Sequence, residues 1–156
     1  MDKQAYCSQY TVLRSWLEAD RDNLQRARSA LTDIPSPDVR EDPVQVSRRN
    51  EASYVRLLEE VDRLTAKVRL EEDLLWRLKA EMLPLFSTLP PERASLMGAR
   101  YISGYPWEII MEEKNLSKST ALRWHRESLK QLVLPENAVN VAEELERLKA
   151  GQGERD

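Results

Sequence analysis

Residues 89–132 read LPPERASLMGARYISGYPWEIIMEEKNLSKSTALRWHRESLKQL, and their punctuation predicts three short helices. A Pro-Pro pair ending at Pro91 opens the first helix, because proline is tolerated in a first turn and blocks backward extension. Gly104 closes it, since glycine adopts the left-handed conformation without steric cost. Pro106 then begins a second helix that runs to about Glu113.

A compact turn at Lys114-Asn115-Leu116 separates the second helix from a third, which ends near Leu132. Ser117 is the expected N-cap of this third helix, because its hydroxyl oxygen can accept a hydrogen bond from the free amides of the first turn. Three short helices joined by two tight turns predict a helix-turn-helix module. Its third helix should turn Ala121, Trp124, His125, Ser128 and Leu132 inwards, and Lys118, Ser119, Leu122, Arg123, Arg126 and Lys130 outwards.

The outward positions are basic and polar at the helix start, where a helix lying in a major groove meets base edges. Residues 89–132 hold seven Lys or Arg against five Asp or Glu, a balance of +2 in a chain whose formal net charge is −3. Any nucleic-acid binding must therefore come from a local patch. We expect double-stranded DNA as the partner, with an ordinary solvated helix as the alternative interpretation.

Two segments of this stretch, RYISGYPWEII at 100–110 and LSKSTALRWHRESL at 116–129, resemble the region-four helix-turn-helix of bacterial sigma factors. The resemblance is closer to small phage and prophage regulators that carry such a module after a helical N-terminal half, a group that includes activators of late phage genes. It covers about 44 residues and departs from the family at Pro106 and Met111, where a small capping residue and an alanine are more frequent. It implies host RNA polymerase as a further partner.

By this resemblance, the DNA-contacting part of the third helix contains Lys118, Ser119, Thr120, Arg123 and Arg126. Arginine side chains suit guanine edges and phosphates, while other polar groups near a helix start position the backbone. We add Lys130, Arg100 and Tyr105 as phosphate-positioning candidates. Trp107, Trp124 and His125 are expected to pack inside the module instead.

The N-terminal part carries two heptad stripes, which are typical of paired long helices. The first covers residues 4–31, with Asp20 as a polar interruption; the second covers 54–85 and is interrupted by Glu71. Both an intrachain hairpin and an interchain coiled coil fit this period. A hairpin would place Arg14 near Glu71. We expect a homo-oligomer, with a dimer favoured, and the oligomerisation residues are Tyr54, Leu57, Val61, Leu64, Val68, Leu75 and Leu78.

The predicted fold is all-α: a long N-terminal coiled-coil or hairpin region (1–86), a helix-turn-helix domain (87–134) and a C-terminal amphipathic helix with its tail (135–156). A linker with three prolines occupies 32–50. Pro84 should kink or stop the second long helix. The C-terminal helix should end at Gly151, with a frayed tail beyond it.

Composition argues against catalysis, because one histidine and one cysteine cannot build a clustered zinc site, and no glycine-rich phosphate loop is present. We therefore expect no enzyme, no cofactor and no metal. A lone Cys7, the absence of a signal-like segment and the absence of a long apolar run predict a cytoplasmic protein that does not enter membranes. The predicted helix-turn-helix favours a sequence-specific DNA-binding protein, and the resemblance implies a transcription regulator of phage or prophage genes. The alternatives are a small terminase subunit and a coiled-coil adaptor that binds protein.

Overall fold

A computed structural model describes residues 1–33 and 43–153, and every regular element in these ranges is helical. This confirms the predicted all-α class. The six helices are α1 (Lys3–Thr32), α2 (Pro43–Ser87), α3 (Pro91–Tyr101), α4 (Trp107–Lys114), α5 (Lys118–Gln131) and α6 (Val141–Gly153).

The chain divides into two compact units, and both long helices contribute to each of them. One unit combines Met1–Arg14 with Asp73–Asp156, and the other consists of Ser15–Glu72. This grouping differs from the sequence-based division at residue 86, because the predicted helix-turn-helix shares a unit with the start of α1 and the end of α2. Phe86 and Leu89, at the junction between α2 and α3, are both buried and join this junction to the core of the first unit.

The first unit contains the helix-turn-helix, in which α3 contacts both α4 and α5, and α4 contacts α5. Its core is apolar, with Leu96, Met97, Ile110 and Leu132 fully buried. Glu81 connects α2 to α1 and to the segment before α6. Its Oε1 atom accepts hydrogen bonds from the Tyr6 hydroxyl at 2.6 Å and from the Val139 amide at 3.0 Å.

In the second unit the predicted stripes are buried at Leu17, Leu24, Ala27, Leu64 and Val68. The acidic interruptions of the two stripes, Asp20 and Glu71, are buried as well. The predicted Arg14–Glu71 pair is wrong: Arg14 donates hydrogen bonds to backbone carbonyls in the first unit, whereas Glu71 is opposite Asp20.

The predicted linker 32–50 is too long at both ends, since α1 includes Thr32 and α2 begins at Pro43. Residues 34–42 of that linker lie outside the described residues. Pro43 opens α2 because a proline in a first turn removes only an amide that has no helical partner. The following turns lack an apolar period, which is why the sequence pattern did not predict their helicity.

Further helix boundaries and one buried position differ from prediction. The helix does not stop at Pro84 but continues to Ser87, and both Pro84 and Ala80 are exposed, so water can hydrogen-bond the carbonyl that the proline leaves unpaired. Leu74 is fully buried, whereas the predicted stripe residue Leu75 is half-buried. Helix α6 begins at Val141 rather than at the predicted Pro135, and it extends to Gly153, two residues beyond the predicted end.

Candidate nucleic-acid interface

The start of α5 is built as the sequence predicted. Asn115 adopts the left-handed conformation with φ of 54°, which turns the chain after α4. Ser117 is the N-cap, and its Oγ atom accepts a hydrogen bond from the Thr120 amide at 3.2 Å. Because this geometry comes from local turn chemistry, it fixes where α5 begins.

The turn between α3 and α4 is held by α1. Gly104 has φ of 75°, a conformation that favours glycine. The Arg14 guanidinium donates hydrogen bonds to the carbonyls of Ile102 at 2.7 Å and Ser103 at 3.3 Å. A Cβ atom at position 104 would lie 2.7 Å from Nη2 of Arg14. Glycine therefore serves two purposes here, a left-handed turn and the close approach of an arginine.

The inner face of α5 is the predicted one. Ala121, Ser128 and Leu132 are buried, and Trp124 and His125 are half-buried. The Oγ atom of Ser128 has no hydrogen-bond partner among the described residues. This face packs α5 into the module and leaves the opposite side free.

His125 has the structural role that the sequence predicted. Its Nε2 atom lies 2.6 Å from the Tyr101 hydroxyl, and its ring meets Trp107 edge-on with centroids 5.0 Å apart. Burial lowers the pKa of His125, and the nearby positive charge of Arg100 lowers it further. A neutral imidazole can accept the hydrogen bond that the Tyr101 hydroxyl donates. Tyr101, Trp107 and His125 therefore hold α5 against α3 and α4.

The outer face of α5 is exposed at all six predicted positions. At 100° per residue these positions fall within an arc of about 140°, with Arg126 near its centre. We call this surface the cationic face, and its residues are Lys118, Ser119, Leu122, Arg123, Arg126 and Lys130.

The charges of the cationic face are uncompensated. None of its Lys and Arg side chains forms an ion pair or hydrogen bond with another described residue. The one acidic residue of α5, Glu127, is paired with Arg93 of α3 at 2.7 Å. With four basic residues and one acidic residue, α5 carries a net charge of +3, whereas α4 has three acidic residues and one lysine. Helix α3 adds two arginines and one glutamate, so most of the net positive charge of the module is on α5.

Two predicted DNA contacts are occupied within the protein. The half-buried Arg100 donates a hydrogen bond to the Tyr105 carbonyl at 3.1 Å, and its guanidinium lies 5.1 Å from the centroid of the Trp107 ring. Thr120 is half-buried, and its Oγ1 atom accepts a hydrogen bond from the Ser117 hydroxyl at 2.9 Å. Both residues hold the module together. Tyr105 remains exposed just before α4.

The predicted oligomerisation stripe is largely covered within a single chain. Leu64, Val68 and Leu78 are buried, while Tyr54 is 47% exposed. The other three positions, Leu57, Val61 and Leu75, are half-buried. Self-association through this stripe stays a prediction, and its buried members pack inside the chain.

Sequence reasoning missed two contacts, because their partners lie far apart in sequence. They are the hydrogen bonds from Arg14 to the Ile102 and Ser103 carbonyls and the ion pair between Arg93 and Glu127.

Within residues 1–33 and 43–153, no three His, Cys, Asp or Glu side chains are grouped so that they could hold a metal ion. In the same ranges no helix has an apolar stretch long enough to cross a bilayer. Comparison with protein-family models, curated proteins and solved structures found no match.

Proposed function

We propose that this protein is a sequence-specific DNA-binding transcription regulator that lays α5 in a major groove. The observation that carries the proposal is the cationic face: Lys118, Arg123, Arg126 and Lys130 are exposed and unpaired on one side of one helix. An array of uncompensated cations favours a polyanion, and a single helix fits the width of the groove.

The residues of this face take different roles along the helix. Lys118 and Ser119 lie in the first turn of α5, next to the N-cap Ser117. When a helix-turn-helix docks in a major groove, this N-terminal end of the helix meets the base edges. Arg126 lies at the centre of the arc and, with Arg123, suits guanine edges or phosphates. Lys130 suits the phosphate backbone, as does the exposed Tyr105. Arg100 and Thr120 already make hydrogen bonds inside the module, so we assign them a supporting role beside the cationic face.

The setting of transcription rests on the resemblance of residues 100–110 and 116–129 to sigma region four. This resemblance supports a phage or prophage gene as the target and host RNA polymerase as a second partner. The local fold agrees with it, since the N-cap at Ser117 and the left-handed Asn115 form the turn that a helix-turn-helix requires.

A pair of matched double variants tests the proposal. Arg123→Ala with Arg126→Ala removes two charges from the cationic face, and Arg26→Ala with Arg28→Ala removes two charges from exposed positions of α1. Binding of the full chain to a fluorescent random-sequence duplex at low salt is measured by anisotropy. We expect the first double variant to bind at least tenfold more weakly, as lost phosphate or base contacts of 1–3 kcal/mol each require. The α1 variant should match the wild type.

Equal affinity of both double variants and the wild type would remove α5 from the interface. Absence of binding by the wild-type chain at low salt would instead favour a protein-binding adaptor. Ring-shaped oligomers in native mass spectrometry, together with DNA binding, would favour a small terminase subunit.

A further inference from the structure

Leu122 is an apolar residue in the middle of the cationic face. It is 38% exposed and lies on the helix surface between Lys118 and Arg126, one turn from each. It is the fifth residue of α5, in the half of the helix that meets base edges when a helix docks in a major groove. Lysine and arginine side chains along about three turns of α5 therefore surround the accessible side chain of Leu122.

The surroundings of Leu122 distinguish it from the other exposed apolar residues near α5. Val133 is 79% exposed, but it follows the end of the helix and is not part of the cationic face. Ile109 is 48% exposed on α4, where Glu108, Glu112 and Glu113 are its neighbours along the helix surface. Those carboxylates would repel a polyanion, whereas the cations around Leu122 attract one.

A polyanion bound by these cations would cover Leu122 and exclude water from it. The C5-methyl of thymine is the one methyl group that unmodified base pairs present in the major groove. Leucine and this methyl group gain free energy by removing each other from water, without any hydrogen bond. The apolar position in the cationic face thus has the thymine methyl as its largest apolar counterpart in the groove.

We propose that Leu122 contacts the C5-methyl group of a thymine and thereby contributes to sequence preference. This inference rests on the proposed DNA-binding function and names one of its determinants. Leu122 acts by apolar contact alone, so it discriminates thymine from the same base without its methyl group. The cations that surround it supply affinity that is independent of the methyl.

The experiment replaces the methyl group on the DNA and leaves the protein intact. The full chain first selects duplexes from a random pool, and the enriched motif is then synthesised with each thymine replaced, one at a time, by deoxyuridine. We expect one or two positions at which the replacement weakens binding by about fourfold, the effect of burying one methyl group. Base pairing and backbone charge are unchanged by this replacement.

Leu122→Ala is then measured on the same duplexes. We expect it to bind the thymine duplex more weakly than the wild type does and to be insensitive to deoxyuridine at the marked position. Val133→Ala, which truncates an exposed apolar residue outside the face, should keep the full thymine preference. The DNA substitution alone keeps the test informative if Leu122→Ala does not fold.

Three outcomes separate this inference from the function on which it rests. Loss of the deoxyuridine effect in Leu122→Ala supports the contact. A selected motif whose thymines can all be replaced without effect, or an effect that persists in Leu122→Ala, overturns the contact and leaves DNA binding intact. Failure of the wild-type chain to enrich any duplex overturns the proposed function and this inference with it.

Discussion

Two acidic residues of the second unit, Asp20 and Glu71, are buried beside each other. Glu71 is 1% exposed, and its two carboxylate oxygens have no donor among the described side chains. Burial, followed by the neighbouring Asp20, raises the pKa of Glu71 to about 8. The neighbouring Glu71 carboxyl, and after it Lys67 at 3.2 Å, lowers the pKa of Asp20. Glu71 therefore keeps its proton at neutral pH, whereas Asp20 is ionised.

Stability should therefore fall as pH rises through the upper pKa of this pair. Because folding raises the pKa of Glu71 from 4.5 to about 8, its contribution is fully present below pH 4.5, declines as pH rises through this range and is lost once pH exceeds about 8. Glu71→Gln, which keeps the size and a donor without the charge, should be more stable than the wild type at pH 9 by roughly 1–3 kcal/mol. Urea unfolding at pH 6 and pH 9 measures the difference.

Glu59→Gln serves as the control, because Glu59 is exposed on the same helix. Its unfolding midpoint should follow the wild type at both pH values. An identical pH dependence in wild type and Glu71→Gln would show that Glu71 is ionised in the folded protein, contrary to its raised pKa.

Burial of single residues in the long helices was largely predictable, whereas pairing across helices was not. The heptad period placed Asp20 and Glu71 on the buried stripes because it depends only on local helical geometry. The contact between them depends on the register of α1 against α2, which the proline-rich segment between the helices does not fix. This is why Arg14 was assigned to Glu71 in error.

At the scale of the elements, Arg14 connects α1 to the turn between α3 and α4. It is half-buried, donates to two carbonyls and lies 5.7 Å from the centroid of the Tyr10 ring. Arg14→Ala leaves those carbonyls to water and should lower the free energy of unfolding by about 1–3 kcal/mol, the range for hydrogen bonds from a charged donor. Urea unfolding followed by circular dichroism measures the loss.

Arg28→Ala is the matched control for this variant, since Arg28 is an exposed arginine of the same helix. Arg14→Lys keeps the charge without the planar fork and should recover only part of the stability. A midpoint for Arg14→Ala equal to that of Arg28→Ala would mean that the turn is stable without α1.

Helix starts and turns of the module were predictable because their determinants are adjacent in sequence. Ser117, Asn115 and Gly104 specify caps and turns through their own backbone preferences. Prolines were less informative about helix boundaries, because one proline begins α2 at position 43 and another is tolerated inside the same helix at Pro84. What decides between these outcomes is whether the missing amide had a partner and whether water reaches the freed carbonyl.

At the scale of the whole molecule, the division into two units could not be predicted from the sequence. It depends on contacts between distant residues, such as Tyr6 with Glu81 and Lys3 with the carbonyl of Lys130. These tie the start of the chain to the helix-turn-helix unit. The cationic face was predicted in full, since it needs only the period of one helix and its burial on the opposite side.

The salt dependence of DNA binding by the full chain tests the central claim most directly. If the four cations of α5 contact phosphates, the logarithm of the association constant should fall with the logarithm of salt concentration with a slope of about −3 to −4. Arg123→Ala with Arg126→Ala should reduce the magnitude of this slope by about 2, while Arg26→Ala with Arg28→Ala should leave it unchanged. Equal slopes for all three proteins would contradict docking through α5.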